Sequence, residues 1–518
     1  MKYVYALAIF CSLILWSSCR NDFEAVPNTG NLEFSQDTIY LDTLFSNIGS
    51  STYNLKVYNR STEDINIPTV ALARGENSLY RLNVDGLPGK QFQDIRVLAK
   101  DSIFIFVETT ADIQDLPGND PNFLYTDQIV FDAGANEQEI ELVTLVQDAV
   151  FLFPDRFDDG TTETLNLGTD GEGDSILIEG YFLDDDELTF TNELPYVIYG
   201  FAAVAPNKTL NIEPGARIHF HANSGILVAN TGSIKANGTA STYPELQENQ
   251  IIFQGDRLEP SFEDVPGQWS TIWMTQGSTN NEFSYCTIKN GTLGLLMDSN
   301  DGDETLTLNN VALHNHTNNG LWARTGNVYG ENVVVNNCGQ ASLRVSIGGN
   351  YTFNHSTFAN YWTNGFRSSP AVSLENFLQT GEDMVTTAPL NANFNNCIIY
   401  GNELRELGLF DIDGEVFNFN FSNSLIRFED PQGDFDELPN YDFTNAAFYT
   451  NSIFSVDPVF QDTAFNNFNI EMGTSGAEGI GNTATANLVP IDANGTTRDG
   501  GSPDAGAYES IAFPEETP

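Results

Sequence analysis

The chain has 518 residues, with 21 Lys and Arg against 71 Asp and Glu, a net charge of −50. A charge of that size repels phosphate backbones and anionic lipid, which excludes nucleic acid as a partner, and it disfavours acidic polysaccharides unless divalent cations bridge the charges. The length is ample for two domains.

Met1-Lys2 and the apolar stretch Val4 to Trp16 have the shape of a secretory signal and are short for a transmembrane helix. The stretch closes on Trp16-Ser17-Ser18-Cys19, which resembles the lipobox of bacterial lipoproteins, with Trp16 where Leu is usual. That resemblance implies removal of residues 1–18, acylation of Cys19 and anchorage to outer-membrane lipid. The following Arg20-Asn21-Asp22-Phe23-Glu24 resembles the surface-export signals of Bacteroidetes lipoproteins, implying display on the cell exterior. Residues 19–30 then read as a tether.

From 31 to 149 the chain reads as a β-sandwich. Short alternating strands are predicted at Thr38 to Leu41, Tyr53 to Tyr58, Ile103 to Val107, Gln128 to Phe131 and Glu139 to Val146, punctuated by clusters such as Asp85-Gly86-Leu87-Pro88-Gly89. Their order resembles immunoglobulin-like modules of the ASH and major sperm protein type, which implies a spacer or interaction module.

From 150 to 510 a phrase recurs: a bulky apolar residue, two polar residues, a small residue, then alternation into Asn. It starts at Phe283, Leu308, Tyr329, Phe353, Phe394 and Phe421, at spacings of 25, 21, 24, 41 and 27 residues. Periods in the twenties carried by strand-like alternation predict a solenoid whose rungs must stack to bury their apolar side. Alternation places Phe283, Cys286 and Ile288 inward, with Asn332, Ser356, Cys397 and Ser424 assigned the same small slot as Cys286. Asn290, Asn315, Asn336 and Asn360 are placed at one bend as a hydrogen-bonded ladder. With Leu210 to Ile218, Ser224 to Val228, Gly232 to Thr239 and Gly267 to Trp273, these rungs resemble the right-handed parallel β-helix of the pectin-lyase-like superfamily, which spans lyases, hydrolases, adhesins and inert scaffolds. The fold class is thus all-β, an immunoglobulin-like sandwich followed by a right-handed parallel β-helix. Arg498 to Glu509 resembles a closing segment and is expected to cap the solenoid. The excursions Ser368 to Asn391 and Glu429 to Thr450 are the loops where function is sought.

Four constellations carry candidate chemistry. Arg324, Arg344 and Asp298 are expected in one outward column; lyases of the resembled superfamily use Arg or Lys as base, so Arg324 and Arg344 are the catalytic candidates. His219 with His221 and His314 with His316 place paired imidazoles on one face if extended, a metal-binding geometry. Asp298, Asn300, Asp301 and Asp303, and separately Asp411 and Asp413, gather oxygen ligands around glycine turns, with calcium as the candidate cation. Trp322, Tyr361 and Trp362 are the expected sugar-stacking platform. Asp is nearly absent from the rung strands, against a paired-carboxylate hydrolase. The reading is a surface lipoprotein that binds a polysaccharide or another surface component without catalysis, with a polysaccharide lyase as the alternative and a structural envelope protein third.

Overall fold

The computed structural model describes residues 25–118, 120–298, 305–381 and 384–514. Cys19 and the segment before it therefore lie outside the described residues, as do Asn300, Asp301 and Asp303. The chain divides into two units, 1–148 and 149–518, and no helix among the described residues is long and apolar enough to cross a membrane.

The first unit is two sheets over one core. One contains Thr38–Phe45, Ile65–Leu72, Gln91–Val97, Asn122–Phe131 and Gln138–Gln147; the other contains Tyr53–Tyr58, Tyr80–Val84 and Ser102–Thr109. Period-2 alternation sends Leu55, Val57, Ile103, Ile105 and Val107 of one sheet against Ile67, Val70, Ile129 and Leu142 of the other, all buried. Thr38–Phe45 runs parallel to Gln138–Gln147, while most other pairings are antiparallel. The strands at 65–72, 80–84 and 91–97 were not predicted; Pro68 and the crowded turns around Asp85 obscured their alternation.

The second unit is a parallel β-helix. Each rung contributes a strand to a ten-stranded sheet and two strands to a nineteen-stranded sheet, whose two arms meet at a bend. The bend is occupied in successive rungs by Tyr285, Asn310, Asn332, His355, Asn396, Asn423 and Asn451, all left-handed with φ from 47° to 54°. Asn bears that conformation at lower cost than most residues, which is why it dominates the column. Behind the bend an inward column of Phe283, Leu308, Phe353, Phe394 and Phe421 is fully buried, and Phe353, Phe394 and Phe421 stack at 5.5 and 4.9 Å between ring centres. Each such ring contributes up to about 3 kcal/mol of burial.

The third rung departs from the predicted register. Leu308 pairs with Gly330, not Tyr329, and Gly330 pairs with Phe353. The Phe353 ring fills the space a side chain at 330 would need, since a Cβ there would lie 2.4 Å from it. Tyr329 accordingly turns outward and donates to Glu331 at 2.9 Å. The one-residue slip moves Val333, not Asn332, into the small inward slot beside Cys286, Val311, Ser356, Cys397 and Ser424. It also makes the third ladder residue Asn337. The carboxamide of Asn337 donates to Asn315 at 2.8 Å and that of Asn315 to Asn290 at 3.4 Å, and all three have left-handed backbones.

The predicted end cap is a side strap. Residues 456–511 run back along the outer face of the second arm and are hooked to the bend column. Arg498 Nη2 donates to Asn332 at 2.7 Å, Asn482 N to Asn396 at 2.7 Å, and Asn423 to the Ile480 carbonyl at 2.8 Å. Apolar contacts of Phe468 and Ala507 with Val334 and Ala359 seal it. The left-handed bend points these carboxamides outward, where a covering segment can use them. The last rungs are covered instead by the excursion after Phe428, whose Phe435, Tyr441, Phe443 and Phe448 pack with Phe428, Tyr449 and Phe454. The aromatic content of 429–450 serves the exposed end of the core.

Candidate functional site

The outer face of the ten-stranded sheet carries two adjacent outward columns. Register places Trp273, Leu296, Trp322, Arg344, Ser373 and Gly408 in one, and Asp298, Arg324, Ser346, Glu375 and Phe410 in the next. Arg324 and Asp298 share a column as expected. Arg344 does not: Leu343 pairs with Leu321, so Arg344 falls opposite Trp322 in the neighbouring column and Ser346 stands opposite Arg324.

The side chains form one network. Trp273 donates its indole N–H to Asp298 at 2.6 Å, and Asp298 pairs with Arg324 at 2.5 Å. The guanidinium of Arg324 lies 5.3 Å from the Trp322 ring and that of Arg344 5.2 Å. Trp322 donates to Ser346 at 2.8 Å, while Arg344 reaches both oxygens of Glu375 at 3.2 and 3.3 Å, which Ser373 also meets at 3.0 Å. These ion pairs are only partly sheltered, with Arg324 28% and Arg344 29% exposed at the side chain. Phe410, the register partner of Glu375, is 46% exposed. Below Trp273 the hairpin Thr164–Thr169 and Ser175–Phe182 covers the sheet through Leu165 and Ile178, so the network begins where that cover ends.

A guanidinium is a donor and a permanent cation with no lone pair to take a proton, and both candidates are held by carboxylates. The arrangement suits ligand binding through an aromatic ring edged by fixed charge-assisted donors. Trp273, Glu375 and Phe410 were missed as site residues. The signal for Trp273 was its parity, since it faces outward between inward Ile272 and Met274 just as Trp322 does between Leu321 and Ala323.

The other candidates are dispersed. Tyr361 and Trp362 do not join Trp322. Tyr361 packs its ring against Phe460 and Phe468 of the strap, and Trp362 is buried. The left-handed backbone of Asn315 breaks the alternation between His314 and His316, turning His316 into the core against the Ile288 carbonyl at 3.2 Å while His314 faces out. His219 is buried against the Gly255 carbonyl, whereas exposed His221 pairs with Asp256 at 2.7 Å. Burial holds His219 and His316 down at about 4 and His314 at about 3, so these imidazoles are neutral. Asp298 is engaged by Arg324 and Trp273, and Asp411 accepts from Asn440 at 3.0 Å beside exposed Asp413. Among the described residues no three His, Cys, Asp or Glu side chains converge as a metal site. The thiols of Cys286, Cys338 and Cys397 are free and buried, and burial raises Cys338 and Cys397 to about 12, so none is a nucleophile near neutrality.

A second concavity of about 350 Å³ opens on the second arm. Its floor is the outward side of three rungs at Thr287, Ala312 and Val334, one wall is the segment 240–250, and the other is the strap.

No protein-family model matches the chain, and no curated protein matches it. Among solved structures it is similar to a family 123 glycoside hydrolase from Clostridium perfringens, described for glycolipid glycan hydrolysis, at 9% identity and a TM-score of 0.16 over 22% of this chain. The chain spans about a quarter of that enzyme, 26% of its length, and a likeness this slight carries no argument about fold or activity.

Proposed function

We propose that this protein is a lipoprotein anchored through Cys19 to the outer membrane and facing the exterior, whose immunoglobulin-like sandwich is a stalk for a right-handed β-helix of the pectin-lyase-like kind. The β-helix binds a polysaccharide on the outer face of its ten-stranded sheet without cleaving it. The observation that carries this reading is Trp322 flanked by Arg324 and Arg344 on a face built along successive rungs. Rungs repeat at about 4.8 Å, so Trp273 and Trp322, two rungs apart, offer rings about 10 Å from each other along the sheet. Guanidiniums and carboxylates between them present fixed donors and acceptors to hydroxyls. The pairing of both arginines with Asp298 and Glu375 argues against either serving as a lyase base.

Affinity electrophoresis through gels containing neutral or uronate polysaccharides tests the binding, and reducing-end release tests cleavage. Retention by at least one polysaccharide, lost in Trp322→Ala and unaccompanied by new reducing ends, is expected. Unchanged retention in Trp322→Ala removes the site, and release that disappears in Arg324→Ala or Arg344→Ala makes the protein a lyase.

A further inference from the structure

We propose that the groove on the second arm is a separate binding site for a neutral, hydroxyl-rich ligand, a short stretch of an uncharged saccharide. The groove has 23 lining residues, and at the chain-wide frequency of 18% charged residues about four would be charged; none is. In a chain of net charge −50 this is a marked local neutrality. The polar lining is mostly carboxamide, with Gln247 and Gln250 on one wall, Asn310 and Asn336 on the floor, and Asn466 and Asn494 on the strap. A carboxamide offers a donor and an acceptor side by side, which matches a pair of neighbouring hydroxyls and has no preference for an ion. The single titratable imidazole, His314, is kept neutral by burial, with Lys289 and His316 adding to the depression.

Aromatic groups supply the apolar side of the recognition. Tyr285 and Tyr508 line the groove, and their hydroxyls make no hydrogen bond with any described residue. Phe465 stands on the strap turn at its edge, 79% exposed, with its ring free to cover an apolar sugar face. The volume lies at the lower end of the roughly 300–1,000 Å³ common for small-ligand sites, enough for a few sugar rings and not for a folded partner. Lys289, the register partner of His314, does not line the groove, and neither do Arg217 and Arg498, whose guanidiniums are taken up behind the lining by the Gln247 and Gln250 carbonyls and by the Asn332 carboxamide. This site is independent of the Trp322 face, which lies on the other sheet and is charged.

Isothermal titration of the full chain with maltohexaose, cellohexaose and xylohexaose, and with trigalacturonate as the anionic counterpart, tests the proposal. At least one neutral hexasaccharide is expected to bind, more tightly than trigalacturonate. Ala312→Trp, which fills the floor from an outward strand position, abolishes that binding. Phe465→Ala, at an exposed position that folding does not need, weakens it about tenfold. Trp322→Ala leaves it unchanged. The proposal is overturned if no neutral hexasaccharide binds at millimolar concentration, if trigalacturonate binds more tightly and loses that advantage in Lys289→Met, or if Trp322→Ala removes the binding while Phe465→Ala does not.

Discussion

The two outer faces of the β-helix handle polar groups in opposite ways. On the ten-stranded sheet, Asp298 with Arg324 and Arg344 with Glu375 stay partly wet and surround an indole. On the second arm and its bends burial holds four of the five histidines neutral: His219 against the Gly255 carbonyl, His316 in the core, His314, and His355 beside Asp504 and Gly506 of the strap. Cations on that side are taken up by carbonyls, as Arg217 is by those of Gln247 and Gln250, or by a closed pair. Arg367 and Glu406 are 1% and 0% exposed at 2.7 Å, with further bonds from Arg367 to the Asn360 carbonyl and from the Ala371 N–H to Glu406. The same residue types are thus locked into the structure where covered and stand open to solvent where exposed, and burial rather than sequence distinguishes them.

Acid should break this contrast most strongly. The unfolded imidazole titrates near 6.5, whereas burial depresses His219 and His316 to about 4, His314 to about 3 and His355 to about 2. As pH falls below 6.5 the unfolded chain takes up protons that the folded chain refuses. Stability is therefore whole above 6.5 and lost progressively toward 4, by on the order of a few kcal/mol per imidazole over that window. Asp256 and Glu509, raised by burial, oppose this but are fewer. Hydrogen exchange at pH 5 should show the strap and second arm opening before the ten-stranded sheet. Uniform opening would remove the distinction between the faces.

The next largest effect is expected from Glu406→Gln. It leaves the Arg367 guanidinium buried without its counter-charge, at a cost of about 3–5 kcal/mol measured by chemical denaturation. Arg367→Met in the same background should recover part of the loss, because an apolar pair of similar volume avoids the desolvation of both ions.

Much of the fold was legible because period-2 alternation and the period in the twenties are set by the chain itself. The column Phe283, Leu308, Phe353, Phe394, Phe421 could be read directly. The slip at Tyr329 could not, since only the position of the Phe353 ring across the rung shows that Gly330 must face inward. The site was half legible. Spacing after the ladder Asn pointed to Arg344 as outward and a place just after a ladder turn pointed to Trp322, but Tyr361 and Trp362 share that place; Trp362 is buried and Tyr361 is covered by a strap that returns from about a hundred residues away. Long-range cover of that kind leaves no local pattern. Glu375 was hidden for a related reason, lying inside the 41-residue spacing where the rung could not be aligned.

The ladder sharpens the register on a smaller scale. Asn337→Ala loses the bond to Asn315, about 1 kcal/mol, and forces a β-carbon residue without Asn's local compensation to hold φ of 52°, about 1 kcal/mol more. Asn337→Gly keeps the backbone and loses only the bond, so its melting temperature should lie between wild type and Asn337→Ala. If Asn337→Gly proves as costly as Asn337→Ala, the left-handed ladder position does not lie at 337 and the shifted register is wrong.

The smallest change in stability is expected at Glu375. Glu375→Gln removes a pair whose arginine is 29% exposed, and solvent screening limits the loss to about 1 kcal/mol or less. Binding should respond differently. With Glu375 neutral, Arg344 keeps its place over Trp322 through the ring contact alone, and its two donors are no longer held in a fixed plane. Polysaccharide retention should fall several-fold while the denaturation midpoint barely moves, and Glu375→Asp, which keeps the charge but shortens the reach, should fall between the two. A loss of stability as large as that of Glu406→Gln would mean that the open face is as structural as the covered one, and the binding assigned to Trp322 and Arg344 would lose its physical basis.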